Sequence, residues 1–172
     1  PMVNSVSLER TDAIAVAARH NAVVIASAAG EAGLPSSQEE RMSNIGRLMT
    51  MLGDVGLMGG AVHVDPLVFP ISTDSRNGAL FLETVDEVRR RYGADIHIVA
   101  GLSNVSFGMP NRKLINQVFA WLAVQAGADG GIVDPQQINA DLLNGLDPDA
   151  ADFRLAKALL TGEDEFGMEY IA

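Results

Sequence analysis

Short apolar runs and longer amphipathic stretches alternate along the chain. Residues 22–28, 61–65, 96–100 and 130–134 are rich in Val, Ile or Ala and too short for helices. Unbroken apolar runs of that length suit parallel strands covered on both faces. Their centres, near Ile25, His63, Ile98 and Ile132, lie about 35 residues apart. Between them, residues 36–52, 79–92 and 113–126 place apolar side chains at helical spacing. A further helix is expected at residues 11–20, before the first run, and another at 150–160, after the last. Ser36 followed by Glu39 reads as a capping box. Gly53, Gly93 and Gly127 fall where helices should end in a left-handed residue. Strand, loop and helix in regular alternation predict βα units and a parallel sheet.

Two architectures are common for such a sheet, the (β/α)8 barrel and the open doubly wound sheet. No Gly-x-Gly-x-x-Gly turn follows any of the strands, which removes the dinucleotide-binding version of the second. The expected strands instead run into polar residues: Gly30-Glu31, Asp65, Ser103-Asn104 and Asp134. Asn4, Ser5 and Ser7 suggest one more strand end at residues 3–5. Polar side chains collected at the C-terminal ends of successive strands are what the active face of a barrel requires. A complete barrel takes about 250 residues, and this chain has 172. With Pro and not Met in first position, it reads as the C-terminal half to two-thirds of a (β/α)8 barrel. Residues 1–172 would then form one domain lacking its N-terminal strands. The open edge could be covered by those strands or by a second copy of the chain.

Composition narrows the function. Apolar residues make up 48% of the chain and charged residues 20%, as in a globular α/β protein. There is no cysteine, so disulfides, thiolate metal sites and cysteine nucleophiles are excluded, and a cytoplasmic location fits. A net charge of −10 argues against nucleic acid as a partner. No apolar run reaches the length that spans a bilayer, and the first residues lack a signal-peptide pattern.

Candidate chemistry sits at the strand ends. Gly101 allows close approach to the backbone, Asn104 offers an amide donor and acceptor, and Arg112 adds a planar cationic fork. The same residues also suit a plain strand-to-helix turn. Asp65 could accept from an N–C–N edge such as that of a pterin, or could cap local N–H groups. Residue types alone favour the local cap.

Taken together, Asn4-Ser5-Val6-Ser7, Asp65-Pro66-Leu67, Gly101-Leu102-Ser103-Asn104 with Asn111-Arg112, and Asp134-Pro135 resemble the pterin-binding methyltetrahydrofolate:corrinoid methyltransferases. The resemblance covers nearly the whole chain, and the end from Leu160 to Ile171 is similar to the family's C-terminus. It implies a (β/α)8 fold and an enzyme that moves the N5-methyl group of methyltetrahydrofolate to or from the cobalt of a separate corrinoid protein. It implies that Asn4 and Asp65 hold the polar edge of the pterin, that Gly101, Ser103 and Arg112 line the pocket, and that Asn104 faces N5. The family also uses an Asp from an earlier strand, which this chain does not contain. Some members carry Gln where Phe107 stands. Homodimers are common in the family. Two other readings fit the same residues: a dihydropteroate synthase-like enzyme, which would place Ser-Arg at Ser103-Asn104, and a pterin- or folate-binding fragment without turnover.

Other signals carry less. Asp95, His97 and Gly101 do not match the corrinoid-binding Asp-x-His-x-x-Gly, because the Gly falls one residue late. His20, His63 and His97 lack metal-ligand spacing and read as separate packed or exposed residues. Ser106 has no His partner for a triad. Met49, Met51 and Met58 read as core filler, and Trp121 as packing on an amphipathic helix.

Overall fold

The computed structural model describes residues 1–164 and 167–172. Its strands and helices alternate as the pattern predicts. In chain order they are β1 (Met2–Val6), α1 (Asp12–Arg19), β2 (Val23–Ser27), α2 (Gln38–Asp54), β3 (Val62–Asp65), α3 (Asn77–Tyr92) and β4 (His97–Ala100), then α4 (Arg112–Ala126), β5 (Gly130–Gly131), α5 (Ala140–Asn144), α6 (Ala151–Thr161) and α7 (Met168–Ile171). The strands form one parallel sheet in the order β1-β2-β3-β4-β5. This is the arrangement of part of a (β/α)8 barrel. No helix among the described residues is long and apolar enough to cross a membrane.

The chain divides into two compact units. The first comprises Pro1–Leu67, Glu83–Ala100 and Gly127–Gly130. Its core is built from Val24, Ala26, Ile45, Leu48, Val62, Val64, Val85 and Ile98, all buried. The second comprises Val68–Leu82, Gly101–Ala126 and Gly131–Ala172. There Phe81 packs on Phe119 with ring centroids 5.2 Å apart, and Trp121 meets Phe153 edge-on.

Register decides which side chains share a face in the first unit. Asn4, Ile25, His63 and His97 stand side by side across β1 to β4. Two residues further along, on the same face, Ser27 pairs with Asp65. His63 and His97 are therefore not separate. Their rings lie 4.5 Å apart, and His97 Nδ1 is 2.9 Å from Asp129 Oδ2. Burial and the neighbouring His97 pull the His63 pKa below its ordinary value, against the opposing charge of Asp129.

Several boundaries differ from the sequence reading. The cap of α2 is Ser37, whose Oγ accepts from the Glu40 N–H, while Glu40 reaches back to the N–H and hydroxyl of Ser36. The cap thus sits one residue later than expected, and the returning glutamate bond goes to the residue before the cap. Gly53 lies inside α2, and Gly56 supplies the left-handed turn after it. Gly93 and Gly127 do take that conformation. β5 is two residues long; Ile132 after it is 52% exposed, and Asp134 closes a turn of its own. Met58 is 67% exposed and not core filler.

Arg89 is a structural residue that the sequence pattern does not reveal. Its guanidinium donates to the carbonyls of Gly93, Ile96 and Gly127, at 2.7 to 3.0 Å. These carbonyls lie just past the end of α3, just ahead of β4 and just past the end of α4. Arg89→Met should lower stability by about 2–4 kcal/mol, the cost of leaving such acceptors unmet. Arg89→Lys should recover less than half of that, because one ammonium cannot serve three carbonyls. Urea unfolding of the two variants checks both outcomes.

Candidate functional site

The residues singled out in the sequence fall into two groups, one in each unit. Asn4 and Asp65 belong to the first; Gly101, Ser103, Asn104 and Arg112 belong to the second.

Asp65 ends β3. Its backbone carbonyl accepts from the Ala28 N–H, which locks the end of β2 to the end of β3. Its side-chain Oδ1 accepts from the Leu67 N–H at 2.9 Å. Pro66 and Leu67, with φ of 68°, turn the chain away from the sheet. The local cap expected from residue types is thus present. It does not account for the electrostatics. Burial pushes the Asp65 pKa up to about 6, while the Leu67 N–H and the charge of Arg41 pull against that rise. A carboxyl poised near neutrality at a strand end is a recurrent mark of functional positions.

Arg41 comes from α2 and is 1% exposed. Nothing in the helical pattern flags it, since it occupies a position where an apolar side chain is expected. One turn later Asn44, also buried, donates from Nδ2 to the Ala28 carbonyl at 2.9 Å. Asn4, on β1, lies just before the point where the β1–β2 register shifts, and it is exposed.

In the second unit, β4 gives way at Gly101 to a short 3-10 helix, Leu102–Ser106. Gly101 has no unusual dihedral; what it provides is room. A Cβ there would come within 3.2 Å of Asn104 Nδ2. The space left open is filled by the Asn104 amide, which remains exposed at its other side. The Phe107 N–H donates to the Asn104 carbonyl.

Arg112 opens α4 and is held from three directions. Nε donates to Ser106 Oγ at 2.9 Å, Nη2 donates to the Ser103 carbonyl at 3.1 Å, and the guanidinium lies 4.6 Å from the centroid of the Phe107 ring. Ser106 is fully buried and its hydroxyl also donates to the Ser103 carbonyl. Ser106 therefore orients a cation and has no triad role. Phe107, where a polar residue stands in some pterin-binding methyltransferases, serves the same arginine as a stacking platform.

A polar cavity of about 170 Å³ is lined by Ser103, Arg112, Asn116, Asp134, Gln137 and Ile138. Asn116 is 7% exposed, and among the described residues its Oδ1 has no hydrogen-bond partner. Asp134 is committed locally, Oδ1 accepting from the Gln136 N–H and Oδ2 from Gln137 Nε2. A larger cavity of about 370 Å³ in the same unit is lined by Ile71, Ser72, Asp74, Met109 and Leu159 among others, and includes none of the residues singled out.

The model of the family described as pterin binding enzyme matches residues 1–134, and the chain belongs to that family. It is 34% identical over 112 residues to the methylcorrinoid:tetrahydrofolate methyltransferase of Eubacterium limosum, covering 65% of this chain and 41% of that protein. It is 30% identical over 151 residues to the methionine synthase of Mycobacterium tuberculosis, covering 79% of this chain and 13% of that protein. The chain spans less than half the length of either relative.

The raised pKa of Asp65 has a consequence for stability. The folded form holds its proton up to about pH 6, whereas an unfolded Asp releases it near its ordinary value of 3.8. Between those values the folded state binds more protons, so stability falls as pH rises. Asp65→Asn removes this titration. The stability difference between the two proteins should shift towards the Asn variant by about 2–3 kcal/mol between pH 4 and pH 6.5, and then level off. Thermal unfolding at a series of pH values measures it; a difference that is flat across that range would show that Asp65 ionises normally.

Proposed function

We propose that this chain takes part in methyl transfer between methyltetrahydrofolate and the cobalt of a separate corrinoid protein, and that its strand ends contribute to the pterin site. The observation that carries this reading is the Asn104 amide, packed over Gly101 and exposed beyond it, in the same short turn whose Ser103 and Ser106 hold Arg112. Membership of the pterin binding enzyme family and the two methyltransferase relatives support it.

The roles follow from the chemistry of the substrate. The aminopyrimidine edge of a pterin presents N–H donors that an ionised Asp65 can accept, and Asn4 can add a further polar contact. Ser103 and Arg112 offer polar contacts to a pterin ring. Asn104 faces N5. During transfer the N5–methyl bond breaks while the electron pair of cobalt(I) forms a bond to the methyl carbon. The electrons of the broken bond stay on N5, which is a poor leaving group unless a proton or hydrogen-bond donor meets it. An amide aimed at that nitrogen stabilises charge that exists mainly in the transition state. Asn104 need not be the proton source; water can deliver the proton. In the reverse direction the same contact steadies N5 as it attacks the methyl group.

Mixing the chain with methyltetrahydrofolate and cob(I)alamin should yield methylcobalamin, followed by the change in the corrinoid spectrum. Absence of transfer with folate bound would leave a binding protein and remove the enzymatic reading. Asn104→Ala should slow the transfer step about 100-fold, as loss of one well-placed donor does, while changing folate affinity much less. Gly101→Ala, whose methyl group would intrude on the amide, should slow transfer in the same way. Equal losses of rate and affinity would make Asn104 a binding residue only.

A further inference from the structure

We propose that the polar cavity beside Arg112 is a subsite for one amide-like group, a carbonyl next to an N–H, in which Arg112 donates to the carbonyl and Asn116 accepts from the N–H. The inference deepens the reading of this strand end as part of a folate site, and it rests on that reading only for the identity of the guest.

Arg112 and Asn116 stand one turn apart on α4, so their side chains leave the same face of the helix. Both line the cavity of about 170 Å³, together with Ser103, Asp134, Gln137 and Ile138, and all six belong to the second unit. Asn116 is what calls for a guest. It is 7% exposed, and among the described residues its Oδ1 has no hydrogen-bond partner. A buried acceptor left unmet is costly, and proteins keep few of them. The terminal torsion of an asparagine is soft, so its amide turns towards a guest at little cost. Arg112 is held by Ser106 Oγ and the Ser103 carbonyl, and its fork has more donors than those two bonds use.

The lining selects the class of guest. It carries one cation, Arg112, and one anion, Asp134, so its charges cancel and a phosphate or carboxylate finds no net attraction there. A neutral group with a donor and an acceptor side by side matches an acceptor on Asn116 and a donor on Arg112. The far wall is fixed before any guest arrives. Asp134 accepts from the Gln136 N–H and from Gln137 Nε2, and Gln117 Nε2 donates to the Gln137 carbonyl at 2.8 Å. Little ordering is therefore left to occur on binding. The space is smaller than a whole ligand pocket, commonly at least about 300 Å³, and suits one group of a larger molecule. Methyltetrahydrofolate carries two such groups, the lactam of its pterin ring and the carboxamide of its tail.

The test begins with acetamide, which is little more than the group itself, added to the whole chain. The side-chain amide signal of Asn116 is followed by NMR. Its loss in Asn116→Leu, or in Asn116→Ser if the leucine variant does not fold, identifies it. Acetamide should shift that signal saturably, with a Kd of about millimolar, as so few atoms allow. N,N-dimethylacetamide, which has no N–H, and acetate, which is charged, should not. A signal that acetamide leaves unmoved, or that N,N-dimethylacetamide moves as much, overturns the proposal. Asn116→Leu should also bind methyltetrahydrofolate about tenfold more weakly, as removal of one hydrogen bond predicts. The same loss with 6-methyltetrahydropterin assigns the cavity to the lactam; with p-aminobenzoylglutamate it assigns the cavity to the tail carboxamide. A response to acetamide with folate affinity unchanged in Asn116→Leu keeps the subsite and removes folate as its guest. Failure of the wild-type chain to bind methyltetrahydrofolate counts against the folate reading alone, and the acetamide result still decides the subsite.

Discussion

A carboxylate placed at the end of a buried strand loses hydration that the protein must replace. Asp65 is where this chain meets that cost. One replacement is the Leu67 N–H, delivered by the turn that leaves the sheet. Another is the charge of Arg41, delivered by the preceding helix. Both depend on the β2–β3 pairing, in which Ser27 sits beside Asp65 and Ala28 donates to its carbonyl. Asn44 then fixes α2 to that same strand end. α2 is accordingly graded along its length. Asn44 reaches a strand end, whereas Leu48 and Leu52, in its later turns, join the core. The compensation is incomplete, which is why the carboxyl still titrates near 6.

The second unit orients a cation by different means. Arg112 is exposed, so its charge keeps its water and costs little to place. What must be supplied is direction. A serine hydroxyl and a carbonyl take two of its nitrogens, and an aromatic ring covers its face. All three contacts come from one short helical turn, Leu102–Ser106, and the residue after it. The same turn brings Asn104 back over Gly101. One irregular segment thus sets both an amide and a guanidinium, and the absence of a side chain at Gly101 is the condition for it.

How much of this could be read from the sequence depends on the range of the interaction. Parallel strands and their helices were legible because apolar period is a local property. Boundaries slipped where a neighbour decides. The Gly-Gly-Ile-Val run looks like a full strand, yet only Gly130 and Gly131 pair. Helices of five and four residues, α5 and α7, are too short to show a period. The candidate residues themselves were legible through their resemblance to a family. Their supports were not. Arg41 carries no sign of burial in its own segment, Ser106 resembles any other loop serine, and the contact between His63 and His97 comes from strand register, not from spacing. Phe107 looked like a lost polar contact, and only its place over Arg112 gives it a use.

The aspartates show why local pattern could not decide the matter. Asp74, Asp134 and Asp147 each accept the N–H two residues on, as Asp65 does. Asp134 is even followed by proline, as Asp65 is. All four make the same small turn, and by residue type they are equivalent. Asp74, Asp134 and Asp147 are exposed, so their turns are complete as they stand. Asp65 alone among the four is drawn out of water, and it is the one with a buried guanidinium acting on it. The turn explains why an aspartate can occupy the end of β3.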